Sequence, residues 1–177
     1  MAGDLTDFPV NGNLRIRVEQ SFVDVLELSD TLSAIFGGAE NVNIRRSMDK
    51  NKGIFIAGKN RRTLPAIAIE AMIEQTIPRT NEYLARVEIV CATSADDDDD
   101  AQLVEALVGA VRDQLHSDRN NGGFNGDNEG FLESLNESNR GLVFHQLHES
   151  NEDPDDEGKT RRRKLMCDTW FFPGATE

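Results

Sequence analysis

The sequence predicts an α+β fold, one mostly antiparallel sheet with a long helix packed on one face, plus an N-terminal helix and long hairpin or loop extensions. Three observations carry that expectation. In LARVEIVCA, Val87, Ile89 and Cys91 alternate with Arg86, Glu88 and Val90, the period of two of a half-buried strand. Leu103, Val104, Leu107, Val108, Val111 and Leu115 fall on one face of a helix of about five turns. In RRRKLMCDTWFF, Leu165, Cys167, Thr169 and Phe171 take one face of a strand, and Met166, Asp168, Trp170 and Phe172 the other.

The chain of 177 residues suits one domain with decorated loops, spanning 1–177. Taken in order, Phe22, Val25, Leu26, Ser29, Leu32, Ser33 and Phe36 recur at helical spacing until Gly37-Gly38 supplies a stop, which predicts one helix over 18–36. Residues 41–48 and 53–58 read as two short strands joined by a polar turn, a hairpin. TLPAIAIE, residues 63–70, reads as a strand whose Pro65 suits its start or an edge.

Five consecutive aspartates, Asp96 to Asp100, stand directly before the long apolar pattern. At a helix start, free backbone N–H groups and the positive end of the dipole favour carboxylates, so the run predicts the first turn of that helix. Adjacent residues on a helix point in different directions, so the five cannot converge on one cation. Beyond the helix, SDRNNGGFNGDNEG predicts a mobile loop over about 117–130, followed by a short helix near 131–136. GLVFHQLHE and the C-terminal strand then predict a long-armed hairpin with the acidic loop at about 150–160 at its tip.

Acidic residues outnumber basic ones 32 to 19, and the net charge of −13 argues against general affinity for nucleic acid or membrane. No stretch approaches the roughly 20 apolar residues of a membrane span, and the N-terminus lacks the order of a secretion signal, so synthesis in a cytoplasm is expected. Cys91 and Cys167 lie far apart, without the close spacing of metal or redox motifs, which predicts reduced, packed thiols.

Several partial motifs touch on chemistry. GIFIAGKN places Gly53, Gly58 and Lys59 at phosphate-loop spacing, but Asn60 stands where a Ser or Thr holds magnesium, and a strand-like run follows instead of a helix. Asp118, Asn120, Gly123 and Glu129 match four positions of a calcium loop, while Gly122 replaces a ligand and Asn125 an apolar anchor. That loop keeps a calcium-dependent binding module open as an alternative. His145 and His148, three apart in a strand, make a poor ligand pair. No nucleophile elbow, zinc-protease motif or activated cysteine is legible, so no enzyme, catalytic residue, metal site or cofactor is expected.

Basic clusters stand out against the acidic background: Lys59, Arg61 and Arg62, then Arg161, Arg162, Arg163 and Lys164. Pairing with acidic loops, in the same chain or a neighbouring copy, is the expectation, and Asp155, Asp156 and Glu157 supply the complementary charge. These ten residues are the interface candidates.

The order of elements, with LPAIAIE, TIPRTNEYLA, RVEIVCATS, an acidic start, LVEALVGAVRDQL and a late hairpin, resembles the tail terminator and tail-completion proteins of long-tailed bacteriophages. The resemblance covers residues 14–115, and the final hairpin by topology. It implies a structural virion protein of the tail and neck, made in the host cytoplasm, whose copies form a six-fold ring. The ring would sit between the tail-tube protein and the head-side connector protein, with DNA passing through its lumen unbound and no membrane involved. Another neck or head-completion ring protein would carry the same features. The Gly/Asn-rich loop and DPDDEG depart from a compact version of that family and look like insertions.

Overall fold

The computed structural model describes residues 10–46, 64–75, 83–95, 98–118, 144–149 and 160–171. The protein is α+β. Its elements run α1 (Val10–Glu27), α2 (Asp30–Phe36), a 3-10 turn (Ala39–Asn41), β1 (Ile44–Arg46), β2 (Ala66–Gln75), β3 (Tyr83–Ser94), α3 (Asp98–Asp118), β4 (Phe144–Glu149) and β5 (Thr160–Phe171). The loops expected at 117–130 and 150–160 and the short helix at 131–136 lie outside the described residues, except where α3 reaches Asp118 and β5 begins at Thr160.

The five strands form one sheet in the order β1-β2-β3-β5-β4. Among the described strands only the β1–β2 pairing is parallel. The expected late hairpin is present as β4 and β5, and β5 inserts between β4 and β3. Of the hairpin expected over 41–48 and 53–58, the described part is β1, which lies beside β2; its second arm lies outside the described residues.

Strand alternation sets the layers. Ile69 of β2, Ile89 of β3 and Leu165 of β5 lie in one cross-strand row, and Ala71, Val87 and Cys167 in the next. All six are buried in a single apolar cluster with Phe22 and Leu26 of α1, Leu32 of α2, and Leu107, Val111 and Leu115 of α3. The three helices thus contribute to one core on one face of the sheet, as a period of two along the strands and 3.6 along the helices requires. Of the apolar stripe predicted for α3, Leu103 is half-buried and the other five are buried.

The helix expected over 18–36 is two helices. Ser29 has extended backbone angles, and its Oγ accepts a bond from the Leu32 N–H at 3.2 Å, capping α2. The hydroxyl competes for the backbone where continuous apolar spacing suggested an unbroken helix. The freed end of α1 is closed by Gln114 of α3, whose Nε2 donates to the Val25 carbonyl at 3.1 Å. At the far end of α2, Gly37 takes φ +82°, the left-handed cap expected of it. The first turns of α1, from Val10, carry the polar run NGNLRIR, which offers no apolar period to read.

β1 covers β2 only from Ile67 to Ile69. On that edge the Ile67 N–H donates to the Asn43 carbonyl at 2.9 Å, and two pleats further on the Ala71 N–H points the same way, past the end of β1. There the acceptor is a side chain: Glu19 Oε1 takes the Ala71 N–H at 3.0 Å and the Arg15 Nε at 2.9 Å. Glu19 is fully buried. Arg15 also reaches Glu70 on β2 at 3.1 Å, and its bond to Glu19 holds its guanidinium above the ordinary value.

Removing the carboxylate with Glu19→Ala is expected to cost about 1–3 kcal/mol by orphaning a buried strand donor. Glu19→Gln, which keeps an acceptor oxygen but loses the charge-assisted bond to Arg15, should cost less. Urea unfolding of the two variants checks the ranking, and equal losses would show that Ala71 is satisfied elsewhere.

Candidate interaction surface

β5 carries the basic cluster, and its pleat divides it. Arg161 and Arg163 lie opposite Thr93 and Cys91, on the helix-bearing side, while Arg162 and Lys164 lie opposite Ala92 and Val90 on the other. Arg163 is largely covered, and its guanidinium is paired with Glu105 of α3. Lys164 Nζ lies 3.5 Å from Glu88 Oε1 of β3, a diagonal cross-strand pair. Two of the four basic residues therefore join parts of one subunit. Lys59, Arg61, Arg62, Asp155, Asp156 and Glu157 lie outside the described residues.

The aspartate run meets the same corner. α3 starts at Asp98, so Asp98, Asp99 and Asp100 form its first turn, as a helix start requires, while Asp96 and Asp97 lie outside the described residues. The buried Thr93 at the end of β3 donates its hydroxyl to the Asp100 carbonyl at 3.0 Å, fixing the short connection into the helix. Arg163 to Glu105 then ties the next turn of α3 to β5. An acidic helix start thus packs over a basic strand, a complement that local periodicity could not reveal.

The sheet face opposite the helices carries mixed charge. Arg86 of β3 lies directly across from Asp168 of β5, with Nε and Oδ1 3.8 Å apart. Around them lie exposed Glu70 and Glu74, half-buried Val90 and Met166, and Met72, which is 63% exposed. Ala66, Ala68, Leu84 and Ala92 on that face are buried. No described helix contributes to a core there. A broad, mixed face of this kind suits contact with another protein surface better than capture of a small ligand.

Other candidate sites resolve differently. The phosphate-loop-like run lies outside the described residues, and of the calcium-like loop only Asp118 is described, as the last residue of α3. Among the described residues no group of three or more His, Cys, Asp or Glu side chains is placed to hold a metal ion. In register, His145 of β4 stands opposite Thr169 and His148 opposite Met166. Sequence reasoning overlooked Glu19, although its position three and seven residues before Phe22 and Leu26 puts a carboxylate on the apolar side of α1.

Both cysteines are free and buried. Burial pushes the Cys91 thiol up to about 12, against a smaller downward pull from Arg163. Burial likewise pushes Cys167 up to about 12, opposed by its contact with Thr169 Oγ1 at 3.5 Å and aided by Asp168. Such thiols are packing groups and poor nucleophiles.

No protein-family model matches the chain, and no curated protein matches it.

The thiols set an alkaline limit on stability. A folded-state pKa raised above the ordinary 9.0 contributes in full at lower pH, and the contribution is lost as pH rises through about 12. Unfolding free energy should fall by about 1.4 kcal/mol per thiol for each pH unit above 9. Urea titrations at several alkaline pH values should show a shallower loss for the double variant Cys91→Ala/Cys167→Ala. Parallel slopes would contradict it.

Proposed function

We propose that this chain is a structural virion protein of a long-tailed phage, and that its copies form a ring which terminates the tail tube and joins it to the head-side connector. The observation that carries the reading is the arrangement of the middle of the chain. LPAIAIE and RVEIVCATS are antiparallel neighbours, the aspartate-started helix follows at once on one face, and the late hairpin seats beside β3. That is the order on which the family resemblance rests, now joined in one sheet with one helix layer.

The surface chemistry agrees with such a role. The face opposite the described helices combines a protruding Met72 with exposed charges of both signs, Glu70, Glu74 and Arg86, as interfaces of independently folded subunits do. A contact of that polarity is weak between isolated subunits and gains from the many simultaneous contacts of a ring on its template. The excess negative charge suits a passage through which DNA must slide without adhering. No helix among the described residues is long and apolar enough to cross a membrane. In this reading the protein performs no reaction; its work is closure and docking.

Negative-stain imaging of the purified protein, alone and mixed with tail tubes of the encoding phage, tests the proposal across buffers from dilute to molar salt. Rings, or caps confined to one end of each tube, are expected. Folded monomers that leave every tube end bare at all salt concentrations would overturn it. Because Arg163 holds α3 to β5, substitutions meant to weaken the ring without unfolding the subunit belong on Met72 and Glu74.

A further inference from the structure

Among the described residues the exposed charge is far more one-sided than the composition of the chain. Among the described residues nine acidic side chains are exposed; Glu70, Glu105 and Asp113 pair with Arg15, Arg163 and Arg112, and the others are Asp24, Glu27, Asp30, Glu40, Glu74 and Asp99. Only two basic ones are exposed, Arg86 and Arg112. The remaining basic residues whose burial is described, Arg15, Arg45, Arg46 and the four of β5, are half-buried. They are spent inside the subunit: Arg15 on Glu19 and Glu70, Arg163 on Glu105, Lys164 on Glu88. The described part of the fold therefore holds most of its basic side chains in half-buried positions and presents carboxylates to solvent.

The choice of residues follows the same line. The chain has 17 Asp and 15 Glu, and its basic residues are 14 Arg against 5 Lys. Arginine is the more weakly hydrated cation and lies flat against protein, whereas lysine keeps its ammonium in water. A surface of carboxylates with few lysines holds its water strongly but repels itself. At about 0.15 M salt the screening length is about 8 Å, so neighbouring surface carboxylates still feel one another; at about 1 M it is about 3 Å and they do not. Self-repulsion of this kind destabilises the compact state unless the medium screens it.

We infer that the native state of this chain is adapted to a medium of molar salt, with the exposed carboxylates of α1, α3, β2 and the turn after α2 making its stability depend on high ionic strength. The inference concerns the folded subunit and stands apart from the ring reading, since it is measured on unassembled protein.

Thermal unfolding followed by circular dichroism in KCl from about 0.1 M to about 2 M tests it, with an expected rise in Tm of about 10 °C or more. Potassium chloride alone also strengthens apolar burial, so a charge variant separates the two causes. Glu27→Lys/Glu40→Lys/Glu74→Lys adds two charges at each site and brings the net charge from −13 to −7. It should melt at a higher temperature than the parent at the lowest salt and show a flatter salt profile. Should the reversals disturb folding, Glu27→Gln/Glu40→Gln/Glu74→Gln should flatten the profile by a smaller step. A parent Tm that is level across the series, or variants that keep the full slope, would overturn the inference.

Discussion

A row of backbone N–H groups on one edge of β2 constrains this fold more than any other feature. β1 is three residues long and satisfies the start of that edge, and beyond it a buried donor at Ala71 needs an acceptor. Glu19 supplies it from α1, and Arg15 neutralises the carboxylate from the preceding turn. That bond fixes the height and rotation of α1 over the sheet. Phe22 and Leu26 are then set against Ile69, Ile89 and Leu165, and α3 closes the layer with Leu107, Val111 and Leu115. A helix side chain here supplies the acceptor that a neighbouring strand supplies elsewhere along the same edge.

Much of this was legible in the sequence because it is local. Val87, Ile89 and Cys91 declare a strand by alternation, and Val104, Leu107, Val111 and Leu115 declare α3 by spacing; all are buried where expected. Pro65 stands just before β2, at a strand start, and Gly37 caps α2. The break at Ser29 was hidden because its neighbours keep helical spacing on both sides, and only the capping bond to Leu32 distinguishes a cap from an interior serine. The insertion of β5 between β3 and β4 is a non-local pairing that no period encodes.

The candidate surface was legible in residue type but not in role. Arg161 to Lys164 stand out by charge alone, yet their alternation across β5 and the pairing of Arg163 with Glu105 and Lys164 with Glu88 depend on β3 and α3 lying alongside. What appeared as a docking patch is in part internal cement between the layers. On the side of the sheet opposite the described helices, Met72 protrudes among exposed Glu70, Glu74 and Arg86. Among the described residues, carboxylates dominate the exposed charge, while most of the basic side chains are half-buried.

Amide hydrogen exchange at Ala71, resolved by NMR, tests most directly whether a helix side chain completes the sheet. The account predicts an amide as slow as that of Ile69 in the native protein, and selective acceleration at Ala71 in Glu19→Ala while the amides of β3 stay protected. An Ala71 amide that exchanges freely in the native protein, or one that Glu19→Ala leaves unchanged, would contradict it.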